Sequence, residues 1–232
     1  MRASDSSRAP PTGIARVRAE PIVVAGTDTG VGKTVFAAAL TLALDGYYWK
    51  PVQAGVDSDG ATDTLRARML TGLPADRFLK EAYAFKAPLS PHRAAALDGA
   101  AIEPRRLRPP EVQGPLVVEL AGGLLVPLSD DLLQADIVAR WAAPVVLCAR
   151  TSLGTINHTL LSVEALVKRG IPLLGIAFIG EPQPETEAAI ARFSGARRLG
   201  ILPWLAKPGA RELRDAFAAG FRRADFIGRP PA

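Results

Sequence analysis

Gly26-Thr27-Asp28-Thr29-Gly30-Val31-Gly32-Lys33-Thr34 follows the apolar run Pro21-Ile22-Val23-Val24-Ala25 and opens an amphipathic run, Val35 to Leu44. A strand, a glycine-rich turn and a helix in that order make a phosphate-binding loop. Gly30 and Gly32 lack a Cβ, so the backbone can curl tightly and aim its N–H groups inward. The unpaired N–H groups at the helix start add partial positive charge. Lys33 is placed to reach β- and γ-phosphates, and Thr34 to give its hydroxyl to a phosphate-bound Mg²⁺. The commoner spacing has glycine where Thr27 stands. Here Gly26 lies one residue further out, so the loop is a variant.

Around that loop, apolar strands alternate with helical patterns. Strands are expected at 21–26, 47–50, 116–120, 144–149, 173–179 and 198–202. Helices are expected at 33–45, 61–70, from Pro91 after a Ser90 cap, and at 131–141, 155–168, 184–193 and 209–220. This alternation implies an α/β fold: a single-domain P-loop NTPase, with a mainly parallel sheet covered by helices on both faces. The domain is expected over 21–222, between a flexible N-terminal tail at 1–20 and a C-terminal tail at 223–232. Residues 75–89 and 99–114 give no clear pattern.

The 232 residues suffice for one sizeable core, and 48% are apolar. The net charge of +5 is concentrated at the ends: residues 1–20 and 211–232 carry +2 each. A nearly neutral body gives no footprint for nucleic acid. Cys148 lies in an apolar run and reads as a buried thiol, which fits a reducing cytoplasm. No apolar run approaches the roughly 18 residues of a membrane span. The Arg/Ser/Pro-rich start lacks the apolar region of a secretory signal.

In parallel sheets, ligands gather beyond the carboxyl ends of the strands. Glu119 ends an apolar strand before Ala121-Gly122-Gly123, which suits a carboxylate holding Mg²⁺. Lys50 follows a strand and precedes Pro51; spacing leaves open whether it is catalytic or merely on the surface. Asp63, at a helix start, reads on spacing as a dipole partner. Asp57 and Asp59 read as loop carboxylates. Gly154 to Asn157, where a strand end meets a helix start, could hold a carboxylate. His92 and His158 have no clustered cysteines or carboxylates at zinc spacing.

Taken in order, G-T-D-T-G-V-G-K-T (26–34), W-K-P-V-Q-A-G (49–55), T-D-T (62–64), S-P-H (90–92), V-E-L-A-G-G (118–123), G-T-I-N-H-T-L-L-S (154–162) and P-W-L (203–205) resemble dethiobiotin synthetases over about residues 21–206. The resemblance implies an ATP- and Mg²⁺-dependent cyclo-ligase of biotin synthesis. It would take 7,8-diaminopelargonate and CO₂ to dethiobiotin, through a carbamate and a carbamic-phosphoric anhydride. It also implies roles. Lys50 would be the catalytic lysine, with Lys33 and Thr29 beside the reacting phosphates. Gly30, Val31, Gly32, Thr34 and Val35 would hold ATP, with Asp63, Glu119, Leu120, Ala121, Gly122, Ile179 and Gly180. Pro203, Trp204 and Leu205 would lie by the adenine. Thr34, Asp63 and Glu119 would surround the metal. Ala54 and the loop Leu153, Gly154, Thr155, Ile156 and Asn157 would bind substrate, the loop across a homodimer interface. The implied location is the cytoplasm.

Three positions depart from the family pattern. Ala54 lacks a hydroxyl often found there, Leu120 replaces a glycine, and Ile179 cannot read an adenine edge by hydrogen bonding. Two alternatives share the sheet. A partition-type switch ATPase usually carries an early P-loop lysine and a basic face, and positions 27–31 hold no lysine. A non-catalytic nucleotide-binding paralogue is set against by the presence of Lys33, Thr34, Lys50, Asp63 and Glu119 together.

Overall fold

The computed structural model describes residues 20–56 and 60–227; Asp57 and Asp59, and nearly all of the expected N-terminal tail, lie outside them. Seven strands form one parallel sheet. They are β1 (Ile22–Gly26), β2 (Tyr47–Trp49), β4 (Phe78–Leu79), β6 (Leu116–Glu119), β7 (Val145–Arg150), β8 (Leu173–Ile179) and β9 (Arg198–Leu202), in the order β4-β2-β6-β1-β7-β8-β9. The helices are α1 (Lys33–Leu44), α2 (Asp63–Thr71), α3 (Pro91–Leu97), α4 (Gln134–Trp141), α5 (Thr155–Lys168), α6 (Pro184–Ser194) and α7 (Ala210–Gly220).

Alternation along β1 divides the core. Ile22 and Val24 face the layer holding Phe36, Leu40, Leu213 and Phe217, from α1 and α7. Val23 and Ala25 face the layer holding Ala135, Val138, Val163 and Ile190, from α4, α5 and α6. Both faces are covered, which is why the strands read as unbroken apolar runs. β1 sits between β6 and β7, with Val23 opposite both Val118 and Val145. The phosphate loop therefore leaves the middle of the sheet.

Three findings differ from the sequence reading. First, β4 and β5 (Tyr83–Phe85) fall in 75–89, where the sequence gives no pattern; β4 edges the main sheet, and a second, two-stranded parallel sheet joins β3 (Val52–Ala54) to β5. With α3 it forms its own cluster around Val52, Tyr83, Phe85 and Ala94. Its strands have three residues each, too short to show a period. Second, α4 starts at Gln134 rather than 131, because the preceding turn is fixed by Asp136 accepting the Leu133 N–H at 3.0 Å. Third, residues 223–226, expected beyond the domain, form a 3₁₀ turn. Its Phe226 is buried against Phe36, Phe217 and Phe221.

Candidate active site

The loop after β1 takes the shape its glycines permit. Gly32 caps α1 with φ 95° and no side-chain cap, leaving the first amides of the helix without a side-chain acceptor. The Lys33 stem passes over Gly26, where an added Cβ would lie 2.8 Å from Lys33 Cδ. Nζ of Lys33 donates to the Asp28 carbonyl at 2.8 Å. The Asp28 carboxylate accepts the Thr29 N–H at 2.7 Å and faces Arg150 at 3.6 Å. Arg150 ends an apolar strand, and nothing in its sequence position marks it as a neighbour of this loop.

Beside the loop, β2 and β6 deliver a buried charge cluster. Lys50 Nζ contacts Asp63 Oδ2 at 2.5 Å and Glu119 Oε1 at 2.9 Å. Thr34 Oγ1 donates to Glu119 Oε1 at 2.8 Å, with Asp63 Oδ1 at 3.3 Å. Tyr48 Oη donates to Glu119 Oε2 at 2.7 Å. Lys50 and Glu119 are 3% and 1% exposed. So Thr34, Lys50, Asp63 and Glu119, picked from four segments of sequence, meet at one point. The spacing reading of Asp63 as a dipole partner is incomplete: it opens α2, and its carboxylate reaches Lys50.

Electrostatics separates the two lysines. Burial pulls the Lys33 ammonium below its ordinary pKa, and the charge of Lys50 adds to this; Glu119 offsets only part. Burial also works against Lys50, but Glu119 and Asp63 outweigh it and hold it above the ordinary value. Burial works against the Asp63 carboxylate as well, and Lys50 overcomes it, holding Asp63 below its ordinary value. Burial and the Glu119 charge push the Tyr48 phenol well up, so it stays a protonated donor. Burial likewise raises the Cys148 thiol, which is no nucleophile.

Two glutamines to which the motifs assign no role fix the surrounding loops. Gln53 accepts the Asp63 N–H at 3.1 Å and donates to the Gly55 carbonyl at 2.7 Å. Gln134 pairs with both the N–H and the carbonyl of Ala121 at 3.0 Å, and donates to Gly123 at 3.1 Å. A buried glutamine in a helix start is a weak signal in sequence. Thr29 lies beside Gly122, since a Cβ there would be 3.2 Å from Thr29 Oγ1.

The remaining expected residues fall into four places. Val31, Leu120 and Ile179 are buried, and Val35 packs against the core. Only the backbone of Leu120 meets the cluster, its carbonyl 3.5 Å from Lys50 Nζ. Ile179 supports the loop from below: a Cβ on Gly32 would lie 2.8 Å from Ile179 Cγ2. Its side chain is thus spent on packing. Gly180 sits between Thr151 and Trp204, whose indole Nε1 would be 3.2 Å from a Cβ on Gly180. Trp204 and Pro203 are exposed, and Leu205 packs on the core. Ala54 is half-buried at the end of β3. Leu153, Gly154, Thr155 and Ile156 line a cavity of about 350 Å³ with Thr151, Ser152, Gln183 and Thr186. Thr155 is buried, while Leu153 and Asn157 are exposed. A larger cavity, about 930 Å³, lies between Pro21 and Trp141 and includes none of the expected residues.

Does this cluster suit Mg²⁺? Among the described residues no group of three or more His, Cys, Asp and Glu side chains makes a metal cage. One hydroxyl and two carboxylates are the hard oxygen donors that Mg²⁺ combines with phosphates and water. The residues fit such a metal, one shared with a nucleotide.

Sheet and loop define a P-loop nucleotide-binding protein. An AAA domain model matches residues 20–211. Two solved structures share the fold: a ParA family ATPase from Chlorobium tepidum and the septum site-determining protein MinD with Mg-ADP from Pyrococcus horikoshii. The first is 12% identical with a TM-score of 0.51, covering 88% of this chain and 99% of that one. The second is 13% identical with a TM-score of 0.50, covering 86% and 95%. At such identity the likeness concerns the fold alone. Sequence relatives say more. The ATP-dependent dethiobiotin synthetase BioD of Rhodopseudomonas palustris (strain BisB5) is 60% identical, over 89% of this chain and 97% of its own length. Those of Nitrobacter hamburgensis and Agrobacterium fabrum are 58% and 55% identical, each over 90% of this chain and at least 97% of their own lengths. The chain belongs to the dethiobiotin synthetase family.

Proposed function

We propose that this protein is an ATP-dependent dethiobiotin synthetase, closing the ureido ring of dethiobiotin from 7,8-diaminopelargonate and CO₂ with release of ADP and phosphate. The observation that carries the reading is the meeting of Lys50, Asp63, Glu119 and Thr34 beside the phosphate loop. The chemistry needs charge and positioning more than a protein nucleophile. One substrate amine adds CO₂ to give a carbamate. The carbamate oxygen takes the γ-phosphoryl group, ADP leaves, and the second amine attacks the carbonyl and expels phosphate.

In that sequence Lys33 and the α1 amides hold the triphosphate, with Thr29 at the rim. Lys50 holds the carbamate and the transferring phosphoryl group. Thr34, Asp63 and Glu119 would hold Mg²⁺, which when bound supplies charge to the phosphates. The turn Glu119 to Gly122, kept in place by Gln134, borders the nucleotide. Pro203-Trp204-Leu205 and Gly180 lie by the base, which backbone groups must read because Ile179 is engaged below Gly32. Ala54 and the loop 153–157 take the diamine and its carboxylate.

A homodimer is part of the proposal. Leu153, Leu161 and Val167 are exposed along α5 and the loop before it. Exposed apolar side chains there would be covered by a second copy. A cytoplasmic setting completes it; among the described residues no helix is long and apolar enough to cross a membrane. The switch alternative is not favoured, since relatives at 55–60% identity are synthetases.

ADP release with ATP, Mg²⁺ and bicarbonate tests the reading. It should require the diamine, with dethiobiotin appearing by mass spectrometry. Release indifferent to the diamine would replace the ligase with a switch ATPase.

A further inference from the structure

Glu119 uses its two carboxylate oxygens differently. Oε1 accepts from Thr34 Oγ1 at 2.8 Å and Lys50 Nζ at 2.9 Å, both on the side of the phosphate loop. Oε2 accepts from Tyr48 Oη at 2.7 Å. The sheet makes that second contact rigid. β2 lies beside β6, with Tyr48 opposite Val117 and Trp49 opposite Val118. The Tyr48 ring is wholly buried and lies against Phe78, 5.9 Å between centroids. A glutamate carboxylate turns easily about its last torsion. A charge-assisted O–H···O⁻ bond in a dry site is strong enough to stop it. The phenol has one proton, and it donates that proton's hydrogen bond to Oε2.

We propose that Tyr48 is a positioning residue of the reaction: its hydroxyl occupies Glu119 Oε2, so that the carboxylate presents Oε1 alone to the divalent cation that accompanies the nucleotide. The proposal rests on the nucleotide-dependent reading above. It makes Glu119 a one-oxygen ligand of fixed direction. Wholly buried, Tyr48 offers no surface to nucleotide or diamine; it acts through Glu119.

Tyr48→Phe removes the hydroxyl and keeps the ring against Phe78. Binding of Mn²⁺ with ADP, followed by the free-Mn²⁺ spectroscopic signal, reads the effect without turnover. The variant should bind Mn²⁺–ADP about tenfold more weakly, as a lost outer partner of a metal ligand does. Its affinity for ADP without metal should match the wild type. In a Glu119→Gln background, Tyr48→Phe should cause no further loss, because the two act as one unit. Metal-free ADP affinity shows whether each variant is folded; in a double variant that keeps it, a further loss of Mn²⁺–ADP binding would show Tyr48 acting without Glu119 and overturn the proposal. Equal Mn²⁺–ADP affinity in wild type and Tyr48→Phe would also overturn it. So would a parallel loss of metal-free ADP binding, which marks a packing role. Wild-type protein with no saturable Mn²⁺–ADP binding would remove the nucleotide–metal reading itself, and Tyr48's part with it.

Discussion

Two buried lysines stand in neighbouring regions of this site, and the fold treats them oppositely. Lys33, at the start of α1, rests on one carbonyl, that of Asp28. Lys50, after β2, lies between two carboxylates. Burial depresses Lys33, whereas Glu119 and Asp63 lift Lys50 despite its deeper burial. The difference assigns their work. A buried cation whose counter-charge is only partial is costly until an anion arrives, so Lys33 is built to receive phosphate. Lys50 is already neutralised and held at a fixed point, which suits directing a reaction rather than capturing a ligand.

The largest effect should come from Lys50. Lys50→Ala is expected to lower kcat about a thousandfold, in the range of a lost charge-stabilising group. Circular dichroism should show the fold intact, and the KM for ATP should change far less than kcat. Near-normal turnover would take Lys50 out of the chemistry and erase the contrast with Lys33.

Lys33→Met should cost about a hundredfold in turnover and, unlike the Lys50 variant, abolish the thermal stabilisation that ATP gives. Without nucleotide the sign should reverse: a depressed lysine destabilises the fold at neutral pH, so the variant should melt no lower than wild type. Scanning calorimetry with and without ATP checks both. A lower midpoint in the nucleotide-free variant would mean that Lys33 is compensated after all.

Asp63 sharpens the contrast by pH. Its pKa is lower in the fold than its ordinary value of about 3.9. Its contribution to stability is therefore present above that pH and lost as pH falls through the folded value. Asp63→Asn should melt several degrees below wild type at pH 7, and the gap should close in acid. A gap of constant size from pH 7 to pH 3 would show that the loss is packing, not charge.

Much of this was legible in sequence, for identifiable reasons. Long apolar strands buried on both faces and the 26–34 glycine turn announce themselves locally, so six of the seven main-sheet strands and the positions of Lys33 and Thr34 follow from short-range pattern, whereas the two-residue β4 does not. Glu119 also follows, as a carboxylate at a strand end. Lys50 and Asp63 do not: what matters is that Lys50 Nζ lies 2.5 Å from Asp63 Oδ2, and spacing carries no such distance. Only the motif resemblance brought them forward. The β3–β5 pair was illegible because its strands are too short to show alternation. Ile179 shows a different limit. Its identity predicts the absence of a hydrogen bond to a base, but not that the side chain props up Gly32.

Gln53 should give the smallest effect and the finest test of whether Lys50 is held in place. Its amide spans from the Gly55 carbonyl to the Asp63 N–H, tying the end of β3 to the first residue of α2. Gln53→Ala leaves Lys50, Asp63 and Glu119 chemically intact and lets the start of α2 shift. The lost pair of buried hydrogen bonds should cost about 1–3 kcal/mol of stability. Turnover should fall only about tenfold, the scale on which displaced supporting residues act. The loss should appear in kcat more than in the KM for ATP, because Asp63 and Lys50 drift while Lys33 and the α1 amides stay put. A rise confined to the KM for ATP would place the effect on the phosphate loop instead, and the two lysines would then form one coupled unit.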